Sequence, residues 1–148
     1  MEELTLLGER AVQAKFELQR MMTEQKNEVL EAVADALIQN TEYLLLENHK
    51  DLDRGIANQM NPGLLDRLRL TKERIAGMAE GIRQIVKLPD PVGEILDDYE
   101  AENGLHIVKK RVPMGVIGII YESRPNVTAD AFGLCFKSGS AVILKGGS

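Results

Sequence analysis

Apolar residues recur every three or four positions through the first 88 residues, and this spacing predicts helices. Leu4, Leu7, Ala11, Ala14, Leu18 and Met21 share one face of the first. Thr23 reads as the N-cap of a second, whose stripe is Val29, Leu30, Val33, Ala34, Leu37 and Ile38. Asn40-Thr41 interrupts that stripe, and Thr41 reads as the cap of a third helix through Leu44, Leu45 and Leu46, ended or weakened at Gly55. Asn61-Pro62-Gly63 is a turn signal, because proline fixes φ and glycine accepts positive φ. A short helix through Leu64, Leu65 and Leu68 follows. Thr71 then caps a stronger one that carries Ile75, Met78, Ala79, Ile82, Ile85 and Val86 on one face. Core packing accounts for these stripes, with Met21, Met22, Met60 and Met78 as gap fillers.

Leu88-Pro89-Asp90-Pro91-Val92-Gly93 breaks the helical period and marks a first boundary, since two prolines remove two backbone donors and favour an extended path. Two extended runs, Glu94 to Ala101 and Leu105 to Val112, flank Glu102-Asn103-Gly104, which predicts a hairpin. One strand is acidic and the other basic, so opposite charges face each other across the pair. His106 and the run Lys109-Lys110-Arg111 read as solvated strand positions rather than as chemistry. A two-stranded hairpin is marginal alone and must lie against more of a longer chain or a neighbouring subunit.

After the hairpin the pattern changes again. Gly115 to Tyr121 is short and rich in isoleucine and valine, as a buried parallel strand should be. The loop Glu122-Ser123-Arg124-Pro125-Asn126 leads to a helix from about Val127 to Lys137, with Lys137 in its last turn and Gly139 at the C′ position. Ala141 to Leu144 is the next strand. This βαβ unit places Glu122 to Asn126 and Lys145 to Ser148 on one edge of a sheet, where open α/β sheets bind their ligands. The expected fold is therefore α/β, with N-terminal helices (1–88), a β-hairpin (89–112) and the first βαβ unit of a nucleotide-binding sheet (113–148). One such unit is an incomplete fold, so the sequence reads as the N-terminal part of a larger enzyme.

Composition narrows the function classes. Eighteen Lys and Arg against 23 Asp and Glu give a net charge of −5, which argues against a bulk nucleic-acid binder. The acidic start lacks the basic and apolar segments of a signal peptide, and no apolar run approaches the roughly 20 residues that span a membrane. A cytoplasmic protein is expected. The single cysteine, Cys135, allows no internal disulfide, and two distant histidines give no metal signature. Cys135 lies mid-helix between Leu134 and Phe136, where burial disfavours a thiolate, so it reads as a core residue and not a nucleophile.

The candidate chemistry lies at the strand ends. Neither G-x-G-x-x-G nor G-x-x-x-x-G-K-[ST] occurs. A lysine there can hold a ribose or phosphate, and an asparagine at a strand–helix junction can offer its amide to a developing oxyanion or cap the helix. Arg124 either grips a carboxylate or phosphate or pairs with Glu122.

Val112 to Thr128, with its Tyr121-Glu122-Ser123-Arg124-Pro125-Asn126 run, resembles the γ-glutamyl phosphate reductase family of the aldehyde dehydrogenase superfamily. So do Lys137 to Ser148, Leu88 to Glu94 and Leu65-Asp66-Arg67-Leu68. The resemblance spans essentially the whole chain. It implies reduction of γ-glutamyl 5-phosphate to glutamate 5-semialdehyde with NADPH in proline biosynthesis, through a cysteine in a domain beyond position 148. It implies that Asn126 stabilises the thiohemiacetal oxyanion and that Lys145, with Gly146 and Gly147, contacts the adenosine ribose or its 2′-phosphate. It further implies that the full-length enzyme is a homo-oligomer assembled through the hairpin and that it associates with glutamate 5-kinase; Arg124, the one arginine of the strand–helix loop, would then lie beside the reacting acyl phosphate, as a substrate contact or as the partner of Glu122. Two departures stand out: the strand-to-asparagine loop is two residues longer than in typical aldehyde dehydrogenases, and Gly146-Gly147 replaces the usual Pro-Ser-Glu type of sequence. The glutamate that grips ribose hydroxyls is also missing there. The competing readings are a stand-alone helical interaction module derived from this fold and a dehydrogenase acting on free aldehydes.

Overall fold

The computed structural model describes residues 2–147, so Ser148 of the predicted strand-end cluster lies outside the described residues. Elements follow in the order α1 (Glu2–Leu18), α2 (Thr23–Gln39), α3 (Thr41–Ala57), α4 (Pro62–Leu68), α5 (Lys72–Lys87), β1 (Ile95–Glu100), β2 (His106–Lys110), β3 (Val116–Ile120), α6 (Pro125–Lys137) and β4 (Ala141–Lys145). β1 and β2 form an antiparallel hairpin, and β3 and β4 a separate parallel pair joined through α6. This is the α/β arrangement read from the sequence.

The core lies where α2, α5 and α6 meet. Leu30, Ala34, Met78, Ala79, Ile82, Ile85 and Ala129 form one buried cluster, edged by Val33, Leu37, Val86, Phe132 and Phe136. Leu30 and Ile82 are wholly removed from solvent, each contributing roughly 1.5–3 kcal/mol. α6 approaches closely because it carries Gly133 at the contact; a Cβ there would sit 2.8 Å from Ile85 Cδ1. α1 lies on the β3–β4 pair, yet of its predicted stripe only Ala11 is buried, while Leu4 and Leu7 remain exposed. The helix ends at Leu18, short of Met21.

Several local readings shift by a residue. Met22, not Thr23, is the cap of α2: its N–H donates to Gln25 Oε1 at 2.9 Å, and the Thr23 hydroxyl donates instead to Asp90 Oδ2 at 3.0 Å. Asn40 precedes α3, and the Thr41 hydroxyl turns back to donate to the Ile38 carbonyl at 2.7 Å. Gly55 does not end α3, which runs on to Ala57. Its missing side chain admits α4 instead, since a Cβ would meet Leu65 Cδ2 at 2.9 Å. Thr71 does cap α5, accepting from Arg74 N at 3.1 Å. Asn61 caps α4 through Gly63 N at 2.8 Å, with Pro62 as the first helical residue.

A buried ionic network ties these layers to the root of the hairpin. Lys26, 1% exposed, donates to Asp90 Oδ2 at 2.7 Å and to the Lys137 carbonyl at 3.3 Å. Lys137, 3% exposed, donates to Asn27 Oδ1 at 2.5 Å and to the Val86 carbonyl at 3.1 Å. Burial would raise the Asp90 pKa, but hydrogen bonds from Lys26, Val92 N–H and Thr23 outweigh it and hold the carboxyl below its usual range. Burial lowers the Lys137 pKa, opposed by the charge of Asp90 and reinforced by that of Lys26.

Beyond that root the hairpin is exposed along both strands. Gly104 (φ +82°) closes its turn, where Gly104 N–H donates to the Ala101 carbonyl at 2.8 Å. Asp97 sits opposite Lys109, Arg111 pairs with Glu94 at 2.8 Å, and His106 pairs with Asp98 at 2.5 Å. Among the described residues, no helix is long and apolar enough to cross a membrane.

Candidate functional site at the strand ends

Parallel pairing of Val116 with Ala141 through Ile120 with Lys145 brings the carboxyl ends of both strands together. The pairing extends one residue further, with Tyr121 N–H donating to the Lys145 carbonyl at 3.0 Å. Gly147 then passes so near the loop after β3 that a Cβ would come within 3.3 Å of Glu122 Cγ. The predicted clusters Glu122–Asn126 and Lys145–Gly147 thus share one edge.

The turn into α6 is set by backbone chemistry. Ser123 is buried with φ +50°, an uncommon conformation for a residue with a side chain. Pro125 opens the helix two residues earlier than the sequence suggests, because proline's fixed φ and absent N–H suit the first helical position. Arg124 therefore occupies the cap position without a side-chain capping bond, and Asn126 sits inside the first turn rather than capping it. Asn126 is exposed, and its amide makes one long hydrogen bond, to Asp130 Oδ2 at 3.4 Å. Lys145, also exposed, donates to the neighbouring Gly146 carbonyl at 2.8 Å. Tyr121 lines the same edge, with its hydroxyl 2.6 Å from Thr128 Oγ1 and its ring 3.8 Å or more from a Cβ built on Gly146.

Arg124 projects between two clefts. One, of about 420 Å³, lies between the α6 N-terminus and the α4–α5 connection and includes Arg67, Arg69, Arg74, Asn126 and Asp130. The other, of about 410 Å³, lies against α3 and includes Tyr121, Glu122 and Gly147. Among the described residues Arg124 makes no ion pair with Glu122. Sequence reading missed the contribution of α4–α5 altogether. The signal available was Arg67, Arg69 and Arg74 within one short stretch, but nothing local says that they line one cleft with Arg124.

Cys135 lies away from this edge, buried on α6, and burial pushes its thiol pKa up. Cys135→Ala is accordingly expected to leave the activity of the complete polypeptide near wild type, with a modest drop in melting temperature from the small cavity. Loss of turnover by orders of magnitude in a folded variant would overturn the core assignment.

The chain has the fold of one part of the aldehyde-dehydrogenase-like architecture. A probable aldehyde dehydrogenase from Listeria monocytogenes superposes with a TM-score of 0.71 at 21% identity, covering 99% of this chain and 29% of that one. Within that fold the sequence matches γ-glutamyl phosphate reductase along its whole length. The reductase of Clostridium botulinum (strain Eklund 17B / Type B) is 51% identical over 148 residues, and that of Anoxybacillus flavithermus 49%. The crystal structure of the Thermotoga maritima reductase superposes with a TM-score of 0.89 at 37% identity, covering 94% of this chain and 34% of that one. The chain spans 36% of the length of the curated relatives it matches. No family model matches the chain.

Proposed function

We propose that this chain is the N-terminal part of a γ-glutamyl phosphate reductase and supplies its cofactor-side edge and oxyanion donor. The supporting observation is the convergence of Arg124, Asn126 and Lys145 on one sheet edge in a chain similar throughout to that reductase. The net reaction is γ-glutamyl phosphate plus NADPH and a proton to glutamate semialdehyde, phosphate and NADP⁺. A nicotinamide cofactor suits the fold, and NADPH suits the edge, where Lys145 offers an exposed ammonium at a strand end. When bound, that cofactor supplies the hydride. Asn126 donates to the acyl oxygen as negative charge develops on it. By resemblance to the reductase, the nucleophilic thiol comes from outside these residues and is not the buried Cys135, so the chain alone is expected to be inactive. The exposed hairpin is the assembly surface of a cytoplasmic homo-oligomer.

The test is phosphate- and NADP⁺-dependent oxidation of glutamate semialdehyde by the complete polypeptide that carries this chain. Oxidation of free aldehydes without phosphate would reject the acyl-phosphate reading. Within the same assay, Lys145→Ala is expected to raise the KM for NADP(H) by roughly tenfold or more, the scale of a charged hydrogen bond, and to spare the other substrates. Equal effects on all substrates would remove Lys145 from the cofactor site.

A further inference from the structure

We infer that Arg67 and Arg69, from the α4–α5 connection, face Arg124 to form a phosphoryl-binding wall beside Asn126; this rests on the reductase reading above. The chain is acidic overall, with a net charge of −5, yet the cleft at Asn126 gathers four arginines against two aspartates. Of the two aspartates, Asp66 pairs with Arg74, while Asp130 meets only the neutral Asn126 amide, at 3.4 Å, and keeps its charge. Arg74 is engaged too, donating to the Asp66 and Arg69 carbonyls, so it braces the connection. That leaves Arg67, Arg69 and Arg124 with no side-chain hydrogen bond or ion pair among the described residues. Arg67, Arg69 and Arg124 are exposed, and the four arginines of the cleft outnumber its two aspartates, so its field favours a bound anion.

The connection is also rigid where rigidity helps. Buried Asn48 donates to the Leu68 carbonyl at 2.8 Å and accepts from Leu70 N–H at 2.7 Å, fixing the backbone on either side of Arg69. The cleft of about 420 Å³ has room for a small phosphorylated acid. The proposed oxyanion role of Asn126 decides which end of the substrate lies here. In an acyl phosphate the phosphorus is two bonds from the reacting carbon, so an acyl oxygen at Asn126 puts the phosphoryl group within the same cleft. Guanidinium groups suit it because each donates two parallel hydrogen bonds to an oxyanion.

The experiment measures Arg67→Gln, Arg69→Gln and the double variant in the complete polypeptide, assayed as phosphate-dependent semialdehyde oxidation. The KM for inorganic phosphate should rise roughly tenfold or more for each arginine, with lysine at the same positions restoring part of the loss, while the KM values for NADP⁺ and semialdehyde hold. Inorganic phosphate should also raise the melting temperature of the wild type and not of the double variant, a readout independent of turnover. A rise confined to the semialdehyde would assign the arginines to the substrate carboxylate and overturn the inference. A rise confined to NADP⁺, or no change in KM, would overturn it as well. Absence of phosphate-dependent oxidation in the wild type would instead reject the reductase reading on which it rests.

Discussion

Asn126→Ala in the complete enzyme should lower kcat by about 10²–10³, the scale for losing one oxyanion donor, with little change in KM. A donor aimed at charge that develops during reaction stabilises the transition state more than the bound substrate. The amide is available for this: it is exposed, and its one partner, Asp130 Oδ2, is distant at 3.4 Å. The competing role, capping α6, does not match the geometry, because Arg124 holds the cap position and Asn126 lies inside the first turn. The variant should therefore melt close to the wild type. Steady-state kinetics beside a thermal melt separates the outcomes, and an unchanged kcat would remove Asn126 from the chemistry.

Removing either partner of the Lys26–Asp90 pair should cost about 3 kcal/mol of stability, the low end for a buried pair, because the other charge keeps only part of its compensation: Lys26 retains the Lys137 carbonyl, and Asp90 retains the Thr23 hydroxyl and the Val92 N–H. Lys26→Met and Asp90→Asn should each show this in urea unfolding. The double variant should lose less than their sum, since the two residues act as one unit. Acid acts on the same pair. The folded Asp90 pKa lies below its unfolded value, so its contribution is complete above the unfolded pKa. It is lost as pH falls through the lower, folded value. For Lys137 the folded pKa is depressed by burial, so the unfolded chain binds more protons below the ordinary lysine range and stability rises as pH climbs into it. Single variants within about 1 kcal/mol of the wild type, or an acid limb unchanged by Asp90→Asn, would show that solvent screens the pair after all.

Periodicity carried the architecture. The stripes of α2 and α5 are the faces that meet in the core, the Gly104 turn closes the predicted hairpin, and Gly139 (φ +69°) follows α6 as expected. What the sequence hid are choices made by partners distant along the chain. Thr23 looks like a cap in its local window, but its hydroxyl goes to Asp90, 67 residues away. Nothing in the local sequence marks Lys26, and Lys137 reads only as a last-turn residue of its helix, yet the folding of α6 against α2 buries both. Gly55 looks like a helix terminator until Leu65 is seen to occupy the space its side chain would need. The placement of Arg124, Asn126 and Lys145 on one strand-end edge is legible from the βαβ pattern. That of Arg67 and Arg69 is not, because their nearness to Asn126 depends on where α4 packs and on Asn48 holding the backbone around them.

The hairpin touches the rest of the described chain mainly at its root, through the Asp90 network. Its backbone can therefore open without disturbing α2, α5 or α6. Amide hydrogens of β1 and β2 should exchange with solvent deuterium through cheap local openings. Those at Leu30, Ala79 and Ile82 should wait for unfolding of the helical layer. Two exchange regimes within one short chain mean that slowing in the first alone, on raising protein concentration, would report what the strands meet.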